Sequence, residues 1–125
     1  MVFYVDSQKS NSPQEIASFL NRCILHYPGK WSELVFLCIG SDRVTGDCLG
    51  PYIGHQLAER LNVHDIYIYG TLKSPVHALN LEKISRRIKL LHPDSLVIAI
   101  DASLGQKKHL GYVTIADGAL YPGAA

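Results

Sequence analysis

The apolar positions switch between a helical and a strand period along the chain, and each switch marks an element. From Ser12 the period is helical, with Ile16, Phe19, Leu20, Cys23 and Ile24 on one face. Ser12-Pro13-Gln14-Glu15 reads as a capping box with proline at the first helical position. "HYPGK" then supplies the turn chemistry that ends the helix. "ELVFLCIG" is a continuous apolar run closed by Gly40, the pattern of a parallel strand buried on both faces. "LGPYIGHQLAERL" returns to helical spacing and turns Ile53, Leu57, Ala58 and Leu61 inward. "DIYIYGT" is a second strand. Ser74-Pro75 opens a third helix with Leu81, Ile84, Ile88 and Leu91 as its buried stripe. "SLVIAIDAS" is a third strand, apolar until Asp101. "LGYVTIAD" alternates more strictly and so belongs at a sheet edge. The predicted strands cover 34–40, 66–71, 95–101 and 110–116.

Strands alternating with helices predict an α/β fold, three-layered α-β-α, around a mainly parallel sheet. A chain of 125 residues suits a single domain, 1–125. After Asp117 only "GALYPGAA" remains, where a sheet of this kind takes another covering helix. Either the fold is minimal or the chain is C-terminally truncated.

Composition narrows the function classes. The chain is 47% hydrophobic with a net charge of +1, as in ordinary soluble domains. It has no basic stripe for nucleic acid, and its apolar runs are strand-sized, far below a membrane span of about 20 residues. "MVFYVDSQKS" lacks the basic start and long apolar core of a signal peptide. Cys23, Cys38 and Cys48 are odd in number and stand in unrelated contexts, which predicts reduced thiols in a cytoplasm. "GSDRVTGDCLG" is neither a dinucleotide fingerprint nor a phosphate-binding loop, and its aspartates would repel phosphate. There is no paired-cysteine zinc pattern and no nucleophile-elbow serine.

Open parallel sheets bind ligands beyond the carboxyl ends of their strands. There the first predicted strand delivers Gly40, Ser41, Asp42, Arg43, Thr45 and Asp47, the second Gly70 and Thr71, and the third Asp101 and Ser103. Ser74 and His77 follow, with His77 expected on the first turn of the third helix. Asp47 admits two readings, a cap for the helix that starts at Leu49 or a carboxylate aimed at a ligand. Asp101 ends an apolar run, where an ionisable group is costly unless paired or used. Arg43 is either a solvated loop residue or a partner that lowers one carboxylate's pKa. His77 is either a packing residue or part of the site. His26, His55, His64, His92 and His109 fall on predicted surfaces or turns and take no role. Cys48 stands at a helix start, where thiolates are favoured, but the neighbouring carboxylate opposes its activation. It reads as a small packed residue.

"CIGSDRVTGDCLGP", "YGTLKSPVHALNL", "VIAIDASLG" and "YPGA" together resemble the YyaC-type sporulation protein family of endospore-forming bacteria, from about Leu34 onward. More distantly the pattern is similar to the spore germination protease and to hydrogenase-maturation endopeptidases. The resemblance implies a fold like theirs and a cytoplasmic place in the forespore or mother cell. It also implies a peptidase with two aspartates. The first falls in Thr45-Gly46-Asp47-Cys48-Leu49-Gly50-Pro51, hence Asp47. The second ends Ile98-Ala99-Ile100-Asp101-Ala102, hence Asp101. In the maturation enzymes a later histidine joins these positions in holding nickel, and no histidine follows "VTIADGALYPGAA".

The expected catalytic pair is therefore Asp47 and Asp101, with no cofactor. Asp42, Arg43, Gly46, Gly50, Thr71, Ser74 and His77 are expected to contact substrate. The two glycines would let the backbone approach it. The expected partner is a peptide or small spore protein, with neither nucleic acid nor membrane, and the oligomeric state is left open. Two alternatives stand beside this reading. One is a non-catalytic relative that binds a peptide or partner at the same edge. The other is a divalent-metal site built from Asp42, Asp47, Asp101 and His77.

Overall fold

The longest apolar run of the sequence forms the middle of a sheet. β2 (Glu33–Ile39) pairs in parallel with β3 (Ile66–Tyr69) on one side and with β4 (Ser95–Asp101) on the other. The computed structural model describes residues 1–43, 46–102 and 110–119. The chain divides into two units, one of Trp31–Ser103 and one of Met1–Lys30 with Leu104–Ala125.

In the Trp31–Ser103 unit, alternation along β2 sends Val35, Leu37 and Ile39 to one face. They pack with Val76 and Ile88, flanked by Tyr67, Tyr69, Leu81 and Ile84. α3 (Leu81–Leu91) covers this face. Cys38, fully buried, turns to the other face and meets α2 (Leu49–Arg60) at Gly54. Burial pushes the Cys38 thiol up to about 11, so it stays neutral.

The contact face of α2 differs from the expected one. Gly50, Pro51 and Gly54 are buried, whereas Ile53 and Leu57 are half-buried and Ala58 is exposed. A Cβ on Gly50 would lie 2.1 Å from the Ile39 carbonyl oxygen, and one on Gly54 would lie 1.9 Å from that of Gly70. The helix approaches the strands along the side that has no side chains, and a count of apolar side chains misses it.

α3 begins at Leu81 rather than at Ser74-Pro75, so His77 is not on its first turn. Residues 71–80 are instead held by bonds that compete with a helix. Val76 bridges Ile39 in parallel, and the Gly40 N–H donates to the Val76 carbonyl at 2.8 Å. The Asn80 side chain accepts the His77 N–H at 2.8 Å and donates to the Pro75 carbonyl at 3.0 Å. Leu91, expected in the buried stripe, is 61% exposed. β4 is an edge strand of this sheet, so Val97 and Ala99 are exposed despite the apolar sequence.

His92, expected on the surface, is buried where α3 ends. Its ring lies 4.2 Å from the Tyr67 ring, centroid to centroid. Burial raises the Tyr69 phenol above its ordinary range, so its hydroxyl keeps its proton and donates to His92 Nε2 at 2.7 Å. Nδ1–H then donates to Glu33 Oε1 at 3.3 Å. A buried imidazole is thus satisfied on both sides.

In the other unit, β1 (Val2–Asp6) pairs antiparallel with β5 (Tyr112–Ala116) in a two-stranded sheet. The expectation of β5 as an edge strand of the parallel sheet is corrected accordingly. Its partner β1 was not anticipated, although Phe3 and Val5 alternate with Val2 and Tyr4. Val5, Cys23 and Ile115 are buried together, with Phe3, Ile16, Phe19 and Val113 around them. α1 (Ser12–Leu25) places Ile16, Phe19 and Cys23 of the expected stripe against this sheet. Phe3 stacks on Phe19 at 4.3 Å between centroids, and the Arg22 guanidinium lies over both rings. Asn11 occupies the cap position, with no side-chain cap bond, so the expected capping box does not form. Ser12 is already helical, and its hydroxyl donates to the Ser7 carbonyl at 3.3 Å. Among the described residues, no helix is long and apolar enough to cross a membrane.

The close approach of α2 generates a stability prediction with an unusual sign. Gly→Ala inside a helix ordinarily adds about 1 kcal/mol of propensity. Gly54→Ala is expected instead to cost about 1–3 kcal/mol by overpacking against the Gly70 carbonyl. Urea unfolding reads the sign directly, and a variant as stable as the parent would mean that α2 can lift from the sheet freely.

Candidate functional site

The candidate site begins where β2 ends. Gly40 has φ +153°, and a Cβ there would meet the Asp47 carbonyl oxygen at 2.2 Å. Only glycine lets the loop fold back this tightly. The same Asp47 carbonyl accepts the Ser41 N–H at 3.0 Å, closing the loop on itself. The Ser41 hydroxyl accepts the Arg43 N–H at 3.2 Å. Gly46 has φ +87° with open space around it, so the loop needs its conformational freedom rather than its small size.

Asp47 leaves this loop half-buried, immediately before Cys48, the cap position of α2. No side chain makes a cap bond there, so Asp47 does not act as a helix cap. Of its two readings, capping is removed. Asp101 closes β4 directly beside Ile39 in the register. Burial pushes its carboxyl above the usual carboxylate range, and the Asp47 charge pushes it further. A hydrogen bond from the Ala102 backbone opposes both effects. Two carboxylates from different strand ends thus feel one another at the carboxyl edge of the parallel sheet.

A groove of about 570 Å³ opens beside Asp47. Ser41, Asp42, Arg43 and Asp47 line one wall. The segment after β3 lines the other, with Lys73 and His77 among Leu72, Pro75, Ala78 and Leu79. His77 Nδ1 accepts the Leu79 N–H at 3.2 Å, which leaves the proton of the neutral ring on Nε2. Leu79 is 93% exposed at the groove's rim.

The expected site residues divide into those the groove gathers and those it does not. Asp42, Arg43, Asp47 and His77 line it. Asp101 is linked to it through Asp47 and is not one of its lining residues. Gly50 is buried, and its missing side chain serves packing against Ile39 rather than approach to a ligand. Thr71 and Ser74 are absorbed in a turn. The Ser74 N–H donates to Thr71 Oγ1 at 3.1 Å, and the Thr71 N–H donates to the Ser74 carbonyl at 3.2 Å. Arg43 forms no ion pair among the described residues, and the perturbed carboxyl is raised rather than lowered. Thr45, Ser103 and His109 lie outside the described residues. Among the described residues, no three His, Cys, Asp or Glu side chains are placed to hold a metal ion, so Asp42, Asp47, Asp101 and His77 do not form the expected alternative ligand set. Lys73, Leu72 and Leu79 were not anticipated. They follow Gly70, and their signal was a polar and apolar mixture just past a strand end.

The raised Asp101 carboxyl has a defined effect on stability. A carboxyl that holds its proton more tightly in the folded state destabilises that state once it must ionise. The stability present below the ordinary aspartate pKa of about 3.9 is lost as pH rises through the higher folded value. Asp101→Asn should therefore be more stable than the parent above that window, and the difference should vanish in acid. Asp47→Asn should move the Asp101 titration downward. Carboxyl-detected NMR titration of both proteins checks this, and an unmoved Asp101 curve would show that the two carboxylates do not interact.

Comparison with known proteins places the chain in a family without assigning it an activity. No solved structure matches it. It is 40% identical over 121 residues to the uncharacterized protein YyaC of Bacillus subtilis (strain 168). The match takes in 97% of this chain and 58% of the relative, so the chain spans somewhat over half the relative's length. Residues 4–125 match the family described as a protein of unknown function, DUF1256, and the chain belongs to that family.

Proposed function

We propose that this chain is a peptidase-like protein of sporulating cells, acting on a peptide or small protein through Asp47 and Asp101. The observation that carries the reading is the placement of Asp101 at the end of β4 beside Ile39 and of Asp47 on the loop that follows β2, at one edge of the parallel sheet. Burial and the Asp47 charge both favour the protonated form of Asp101. Such a pair separates into a base and an acid at one pH. In this reading ionised Asp47 takes a proton from water as the oxygen attacks the scissile carbonyl. Protonated Asp101 donates a hydrogen bond to the carbonyl oxygen. Collapse of the tetrahedral species breaks the C–N bond, and the proton held by Asp47 passes to the leaving amine. The His77 Nε2–H is a second donor on the groove wall. The resemblance to the germination protease supports the same two residues, and the likeness alone does not carry an activity.

A second reading is binding without hydrolysis, in the same cytoplasmic setting. It is favoured by the position of Asp101 outside the groove that Asp47 lines. The open groove, with exposed Leu79 at its rim, would then hold an extended peptide beside a carboxylate that never meets the scissile bond.

Incubation with an extract of spore proteins, read by mass spectrometry for new termini, separates the two. Under the first reading the parent generates discrete new termini. Asp47→Asn and Asp101→Asn should each lower the rate about a hundredfold to ten-thousandfold while remaining folded. Cys48 is exposed and its thiol is free, and Cys48→Ser should leave the rate essentially unchanged. Retained cleavage in both aspartate variants sinks the aspartate pair. Capture of a spore peptide with no new termini supports the binding reading.

A further inference from the structure

Among the described residues, the outer face of α3 is exposed, and its chemistry is distinct from that of the groove beside Asp47. Lys83, Arg86, Arg87, Leu90 and Leu91 line a shallow, open depression of about 390 Å³ on its outer side. Their spacing is i, i+3, i+4, i+7 and i+8. Four residues at i, i+3, i+4 and i+7 form the diamond-shaped hole into which a side chain of a neighbouring helix inserts. The face is apolar at its C-terminal end, where Leu90 is 82% and Leu91 61% exposed. The rim at the N-terminal end is cationic. Arg86 is paired within the helix to Glu82. Lys83 and Arg87 form no ion pair among the described residues. α3 as a whole sets Lys83, Arg86, Arg87 and Lys89 against Glu82 alone, while the entire chain has a net charge of only +1. Positive charge is therefore concentrated on this helix. Two large leucines beside a cationic rim match neither a solvated helix face nor a purely electrostatic patch.

We infer that the outer face of α3 is a docking surface for an acidic amphipathic helix of a partner protein. An apolar side chain of that partner would enter the hole above Leu90 and Leu91, and its carboxylates would meet Lys83 and Arg87. Charge complementarity selects the partner's sign, and the hole spacing admits a side chain from a partner helix. This site is separate from the aspartate pair, so its test is independent of any hydrolytic activity.

The test uses the full chain and a fluorescein-labelled peptide of about three heptads. The peptide has leucine at a and d and glutamate at e and g, and glutamate repulsion keeps it from pairing with itself. A second peptide carries lysine in place of each glutamate. Fluorescence anisotropy should show saturable binding of the acidic peptide that weakens with added salt, and no binding of the lysine peptide. Leu90→Glu and Arg87→Glu should each weaken binding roughly tenfold or more. Both sites are exposed, and circular dichroism should confirm that both variants remain folded. Equal binding of the two peptides, or binding indifferent to both substitutions, overturns the inference. So does a concentration-dependent dimer, seen by sedimentation velocity, that Leu90→Glu abolishes, because the face would then serve a second copy of the chain. Binding to anionic phosphatidylserine vesicles without binding to the acidic peptide likewise overturns it in favour of a lipid surface.

Discussion

The site depends on one backbone-to-backbone approach, that of α2 against the end of β2. Gly40, Gly50 and Gly54 each lie where a Cβ would strike a carbonyl oxygen. Gly40 receives the Asp47 carbonyl, Gly50 receives that of Ile39, and Gly54 receives that of Gly70. The three contacts fix the helix, the loop before it and the end of β3 as one assembly. Asp47 is positioned by the main chain on either side of it rather than by a bond from its own carboxylate. Among the described residues its carboxylate makes no capping bond, so its side chain is not committed to α2.

The Asp47 carboxylate acts on Asp101 by proximity of charge in a partly buried setting. Desolvation is the larger cause of the raised Asp101 value and the Asp47 charge the second. The order matters physically. Burial alone would raise any carboxyl at the end of an apolar strand, whereas the response to Asp47 is specific to this arrangement. Among the described residues no cation pairs with either aspartate, and Arg43 lines the groove without an ion pair.

What the sequence revealed follows the range of the interactions involved. The parallel core was legible because "ELVFLCIG" and "SLVIAIDAS" are apolar on both faces and end in polar loops. Asp101 ends one of these strands and Asp47 follows the other in the sequence itself, whereas His77 falls in the segment before α3 rather than on its first turn. The start of α3 was misjudged because Ser74-Pro75 imitates a helix start, while the bonds that prevent one come from Asn80 and from Ile39. His92 was misjudged because "LHPD" has the composition of a turn, and its partners Glu33 and Tyr69 are distant in sequence. Thr71 and Ser74 are expected to meet a ligand, but a turn ties the Thr71 hydroxyl to the Ser74 N–H and the Thr71 N–H to the Ser74 carbonyl. β5 was recognisable as a strand from its alternation, yet alternation does not name a partner. β1 was overlooked because its signal spans only two inward residues, Phe3 and Val5.

The two walls of the groove are anchored by unrelated means. Asp47 is held by the helix-to-strand approach, whereas the facing wall hangs from the sheet at Val76 and otherwise folds upon itself through Thr71, Ser74 and Asn80. Residues 72, 73, 78 and 79 can change without disturbing any bond that holds the aspartates. The shape of the groove can therefore change while the acidic pair stays in place, because its two walls are separable modules.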